Sequence, residues 1–215
     1  MDWFQTLYNY CERQTDSFWS EPLNALTNLM FVILGLAVAF KTKKDKFCFL
    51  LSVQIIAIGI ASFTFHTFAN LLGALLDVLC IILFGMTYIY GVNRRFMNAS
   101  YFVSILLAIF LIPFSFIVSF AVILSLGELN GSSWYISFAI LFLIYSFLTR
   151  KTFPDFSLAL FYCTPFFVIS IIFRSIDYIF CNSIPFGTHF IWHILNGILL
   201  SALVLFFYRS SKPST

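Results

Sequence analysis

Charge is the scarcest property of this chain. Asp, Glu, Lys and Arg make up 10% of its 215 residues, against 61% apolar residues. A water-soluble domain carries roughly 25% charged residues, and one core could not hide this much apolar surface. Soluble globular classes are therefore excluded. Strand-like alternation is also missing, and the apolar runs are too long for barrel strands, which excludes a transmembrane barrel. There is no internal repeat and no low-complexity linker, so the chain reads as one domain. No basic stretch followed by an apolar core precedes residue 20. No cleavable signal peptide is expected, and the first span must itself direct insertion. The net charge of +3 reflects residues that set membrane topology, and nucleic acid is not an expected partner.

What is present is a series of long apolar runs. Seven can be drawn as spans, at 23–40, 47–68, 71–92, 101–126, 134–149, 154–174 and 186–208. Basic residues orient them. Lys41, Lys43, Lys44, Lys46, Arg94, Arg95, Arg150, Lys151, Arg209 and Lys212 all fall in loops or tails on one side, ten of the twelve Lys and Arg. Only Arg13 and Arg174 fall on the other, with six of the nine acids: Asp2, Glu12, Asp16, Glu21, Glu128 and Asp177. An odd number of spans is needed to keep the basic loops on one face. The expectation is an all-α, multi-pass membrane protein, a bundle of seven transmembrane helices with its N-terminus outside or lumenal and its C-terminus cytosolic. Residues 1–22 form an extracytoplasmic segment, 23–208 the bundle and 209–215 the cytosolic tail.

Depth then groups the rare polar residues. The second span ends near Asn70 and the third begins there. At 1.5 Å per residue, His66 lies roughly 6 Å from that turn, Asp77 roughly 10 Å and Ser62 roughly 12 Å. The seventh span begins near Pro185 on the same side, which puts His189 roughly 6 Å deep and His193 roughly 12 Å. All three histidines of the chain thus fall in one extracytoplasmic layer with Ser62 and Asp77. Ser62 and His66 share a helix face, as do His189 and His193, because each pair is four residues apart. Two imidazoles at that spacing can bind one metal from one helix. A third from His66 leaves the fourth zinc position open, the pattern of a catalytic site. Asp77 is the one acid within a span, where a carboxylate costs about 2.5–3.5 kcal/mol on insertion scales. Taken singly, each residue has an ordinary reading: a hydrogen-bonded core histidine, a proton-relay aspartate, a serine at a helix contact.

The same residues carry a family resemblance. Tyr10-Cys11-Glu12-Arg13 is followed by Trp19-Ser20-Glu21-Pro22-Leu23-Asn24 and Thr27-Asn28. Ser62, His66 and Asp77 form a second block, and Gly187-Thr188-His189-Phe190-Ile191-Trp192-His193, continuing to Asn196, a third. The chain resembles the alkaline ceramidase family, in wording closest to its bacterial branch, within a superfamily of seven-helix membrane hydrolases that includes adiponectin-type receptors. The resemblance implies zinc on His66, His189 and His193, with Ser62 and Asp77 as catalytic residues at the attacking water. It implies a ceramide-like membrane lipid as substrate, and a cell or inner membrane location if the chain is bacterial. In the animal branch, acids before the first span also hold calcium. Glu12 and Glu21 match two of those ligands, but Asn9 stands where that branch has Asp, Gln14 where it has Asn, and the segment between the two glutamates is shorter. Fewer charges and altered spacing lower calcium affinity, so calcium at Glu12 and Glu21 stands as an alternative to a solvated acidic N-terminus. The resemblance also suggests a disulfide between Cys11 and Cys181, both on the side where one persists; the alternative is two free thiols. Cys48, Cys80 and Cys163 read as small apolar packing residues.

The expected chemistry is zinc-dependent hydrolysis of a lipid amide, with Asp77 as general base and Ser62 hydrogen-bonding the water or the developing oxyanion. Phe63, Phe65 and Phe68 are candidates for an acyl channel, or ordinary lipid-facing aromatics. Three other readings compete. An ester-cleaving lipase or phospholipase uses the same zinc chemistry. A receptor-like member of the superfamily needs cytosolic docking surface, which the short loops do not offer. A transporter needs polar groups through both leaflets, and no charged residue lies below Asp77 in the bundle.

Overall fold

The structure is a computed structural model and describes residues 2–211; residues 212–215 of the expected tail, Lys212 among them, lie outside the described residues. The described chain is all-helical. Helices α1 (Pro22–Thr27) and α2 (Leu29–Thr42) join across Asn28 and make one apolar span, Pro22–Thr42. They are followed by α3 (Lys46–Phe68), α4 (Leu71–Arg95), α5 (Tyr101–Leu126), α6 (Ile136–Thr149), α7 (Pro154–Ser175) and α8 (His189–Ser210). Among the described residues, six helices are long and apolar enough to cross a membrane, with a shorter apolar helix at Ser133–Thr149. That pattern suggests a multi-pass membrane protein.

Helix α8 packs against α7, α2 and α3, and α7 and α8 are the most buried of the long helices, while α5 lies at the side against α4 and α6. The inner stripe of α3 reads Leu51, Ile55, Ile58, Ser62, Phe65 and His66, all buried. Its spacing of three and four residues is that of one helix face. Close approach against α2 requires Gly59, where a Cβ would come within 2.8 Å of the Phe31 Cβ. Without a hydrophobic drive between helices in lipid, small polar residues join them. Ser115 pairs with Ser137 at 2.8 Å across α5 and α6, Ser119 pairs with Ser133 at 2.7 Å across α5 and the turn just before α6, and Ser146 bonds the Ser157 carbonyl oxygen at 2.8 Å across α6 and α7.

One end of the bundle is closed by charge. Asp45 caps α3 by accepting the N–H groups of Phe47 and Cys48, and it receives both terminal nitrogens of Arg95 at 2.6 and 2.8 Å. The Arg95 bonds hold the Asp45 carboxyl down at about 2. Arg95 also reaches Ser211, so the α3, α4 and α8 ends meet here. At the other end of α3 the N-terminal segment folds back over the bundle. Leu7 N–H donates to the Ala69 carbonyl at 2.6 Å, and the expected solvated segment is instead partly interior: Tyr10, Cys11, Arg13 and Glu21 are buried.

Candidate metal centre

His66, His189 and His193 meet beneath that folded-back segment. Their ring centroids are 5.1 Å (66–189), 4.7 Å (66–193) and 4.5 Å (189–193) apart. One ligand atom from each lies within 4.8 Å of the others, and all three residues are buried. Among the described residues, this is the one group of three or more such side chains able to hold a metal. Helix α8 starts at His189 rather than near Pro185. The chain is still non-helical at Gly187, whose φ is +61°, and only glycine fits there because a Cβ would collide with Asp177 Oδ1 and the Cys11 Cβ.

Each ring is held from behind. His66 Nδ1 lies 2.6 Å from Glu21 Oε2. A carboxylate can only accept, so Nδ1 donates the proton and Nε2 is the nitrogen left for a ligand. His193 Nδ1 lies 3.0 Å from the Thr27 hydroxyl, which donates to the Leu23 carbonyl and so accepts from the ring. His189 is stacked on Tyr10, with centroids 3.7 Å apart and planes 12° apart. His66 Nε2, His189 Nδ1 and Asp77 Oδ1 are buried without any hydrogen-bond partner. Leaving such an atom unsatisfied costs about 1–3 kcal/mol. Several converging in one pocket are what a metal and its water would satisfy, so the residues fit the group. Ser62 is buried and lies beside the Asp77 carboxylate. Tyr10, Ser62, Asp77, His189 and His193 border one pocket of about 110 Å³, together with Arg174.

The two glutamates have separate tasks. Glu12 accepts the N–H groups of Leu23 and Asn24 at 2.7 and 2.8 Å and so caps α1. Glu21 is bonded by Arg13 at 2.5 Å, by Asn24 at 3.1 Å and by His66. Burial pushes the Glu21 carboxyl up, and the bonds from His66 and Arg13 outweigh it, so it stays below the usual carboxylate range. Both of its oxygens are taken, and Arg13 already supplies the positive charge. Among the described residues no further acid gathers with Glu12 and Glu21, and both carboxylates already serve the protein's own donors, so the structure adds no support for a calcium ion there. Arg13 also donates to the His66 and Thr67 carbonyls at 3.0 and 3.4 Å, tying the segment to the end of α3.

Cys11 and Cys181 are at disulfide distance, with Cα atoms 5.2 Å apart. Beside them lies Asp177, which was read from sequence only as an outside acid. It is fully buried. Its carboxylate accepts the N–H groups of Cys11 at 2.9 Å, Thr188 at 2.7 Å and His189 at 2.9 Å. It thus caps α8 at the residue that presents the first histidine and pins the N-terminal segment there. Asp177→Ala leaves three buried donors unpaired. We expect a loss of about 3 kcal/mol or more, read as a fall of roughly 10 °C in unfolding temperature in detergent. An unchanged temperature would remove Asp177 from this role.

Phe65 is buried at the site, but Phe63 is only half-buried and Phe68 is exposed. Those two lie off the inner stripe of α3 and rest edge-on against Trp19 and Phe18. The interior apolar cleft is built by other residues. It has about 60 Å³ and is lined by Phe31, Phe84, Tyr88, Phe138, Trp192 and Leu203, among others. Phe31, Ile58, Ile81, Tyr135 and Trp192 border both this cleft and the histidine pocket, so the two adjoin.

Comparison with curated proteins gives no match. The ceramidase family profile matches residues 5–212, from the folded-back segment to the end of α8. The chain belongs to the ceramidase family, whose members are hydrolases acting on lipid amides.

Proposed function

We propose that this protein is a membrane-embedded, zinc-dependent amidohydrolase that cleaves the N-acyl amide bond of ceramide or a related N-acyl lipid, releasing a fatty acid and a lipid amine. One observation carries the reading: three buried imidazoles converge within metal-ligating distance, and His189 and His193 border a pocket with Ser62 and Asp77 that adjoins an apolar cleft. Three nitrogen donors suit zinc. When bound, the metal supplies a Lewis acid for the amide carbonyl and lowers the pKa of water. His66, His189 and His193 hold it. Asp77 takes the proton of the attacking water and returns it to the amine nitrogen as the C–N bond breaks. Ser62 donates a hydrogen bond to the carbonyl oxygen as charge develops on it. The cleft receives the acyl chain and excludes water from it.

The site lies on the extracytoplasmic side of a seven-span bundle, with the six long helices and the shorter α6 all crossing. The basic loops support that orientation, since Arg95 and Asp45 gather at the end remote from the histidines. Zinc chemistry also serves esters, so the test is a panel. The purified chain is incubated with chain-matched N-acyl and O-acyl lipids. Release of fatty acid and free amine from the N-acyl lipids is expected. Release from esters alone moves the assignment to a lipase or phospholipase, and no release from any lipid overturns the enzyme reading.

A further inference from the structure

Arg174 is a cation that the catalytic account does not use. It stands near the end of α7, which spans Pro154–Ser175, and borders the pocket that holds His189, His193 and Asp77. Arg13 and Arg95 each meet a carboxylate, Glu21 and Asp45. Arg174 meets none within ion-pair distance among the described residues. Its partners are neutral: the Asn130 carbonyl at 2.5 Å, the Ser132 hydroxyl at 2.9 Å and the Tyr10 hydroxyl at 3.2 Å. The rings of Tyr10, Tyr135 and Trp192 surround it at 5.9, 5.2 and 5.8 Å. Such rings stabilise a guanidinium and hold its plane, but they do not neutralise it. Three bonds leave two of its five N–H donors for a ligand.

The charge of the pocket gives those donors a purpose. Glu21 is already matched by Arg13. Asp77 is then the one acid lining the pocket, and Asp177 lies behind the His189 N–H; against Arg174 and a divalent metal these two carboxylates still leave the loaded site net positive. It favours an anion, and the reaction proposed above makes one, the fatty-acid carboxylate. Arg174 also borders a second cleft of about 430 Å³, along α4 and α5. Val78, Ile112 and Phe116 line that cleft and are exposed on the outer face of the bundle. A carboxylate at Arg174 thus sits where the histidine pocket meets a side opening toward the bilayer.

We propose that Arg174 is the carboxylate-binding residue of the lipid pocket, which holds the released fatty acid by a charge-assisted, planar contact. The inference rests on the amidohydrolase reading for the origin of the acid, but its test does not need turnover. Dissociation constants of a long-chain fatty acid, the fatty alcohol of the same length and the corresponding alkyl phosphate are measured by calorimetry on the as-purified full chain in detergent. Arg174→Gln should weaken the acid roughly tenfold or more and leave the alcohol within about twofold, because only the charged contact is lost. Arg174→Met, of similar length and uncharged, carries the same reading if the Gln variant does not fold. Equal losses for acid and alcohol, an undiminished acid affinity, or a loss confined to the phosphate would overturn the proposal. If no lipid is hydrolysed while the selective loss appears, the amidohydrolase reading falls and Arg174 keeps its assignment. Hydrolysis with equal losses removes Arg174 alone.

Discussion

Asp77→Asn is expected to retain the metal and to lose turnover by roughly 10²–10⁴-fold. The substitution keeps the size of the side chain and one carbonyl oxygen but removes the group that takes and returns a proton. Asp77 Oδ1 is buried and has no protein partner, and its neighbour is the Ser62 hydroxyl. A structural aspartate in an apolar bundle would have its oxygens satisfied by helix N–H groups or a cation, as Asp177 and Asp45 do. Asp77 has neither, which is the state of a group held ready for something outside the protein. Metal content and the initial rate on an N-acyl lipid separate the two effects. Loss of metal would make Asp77 a ligand or a support of the fold, and undiminished hydrolysis would remove it from proton transfer.

The second large effect concerns a residue that never touches the metal in this account. Glu21→Gln should raise the zinc dissociation constant by about 10–100-fold, as for other carboxylates behind a metal-bound imidazole. The carboxylate fixes His66 with Nδ1–H outward and Nε2 toward the other two rings. An amide offers a weaker acceptor and can present N–H groups instead, which lets the ring turn or change tautomer. The same substitution leaves Arg13 buried without its counter-charge, so the unfolding temperature should fall as well. Zinc affinity measured by chelator competition, on protein shown to be folded, distinguishes the two consequences. Full affinity in a folded Glu21→Gln would mean that Arg13 and the stacked Tyr10 suffice to hold the site.

Much of this site could be read from local spacing. His189 and His193 share a face at four residues, as do Ser62 and His66, and span depth brings in Asp77; in the structure Ser62, Asp77, His189 and His193 border one pocket, and His66 meets the other two histidines. The bundle was similarly visible, because apolar length alone marks the long helices. What spacing could not supply was the return of the N-terminal segment across the helix ends. Glu21 sits 45 positions from His66, Thr27 166 from His193 and Cys11 166 from Asp177. No period links such pairs. Glu21 appeared only inside a motif and drew a calcium reading, and Asp177 looked like one more exterior acid. The late start of α8 was hidden for a related reason, since Gly187 just before it fits against Asp177 and Cys11.

The central claim is that three histidines hold one catalytic metal, and metal analysis of the purified chain tests it directly. The account predicts one zinc per chain in the unsubstituted protein and none in the His66→Ala, His189→Ala, His193→Ala triple variant. Stoichiometric zinc retained by the triple variant would contradict it.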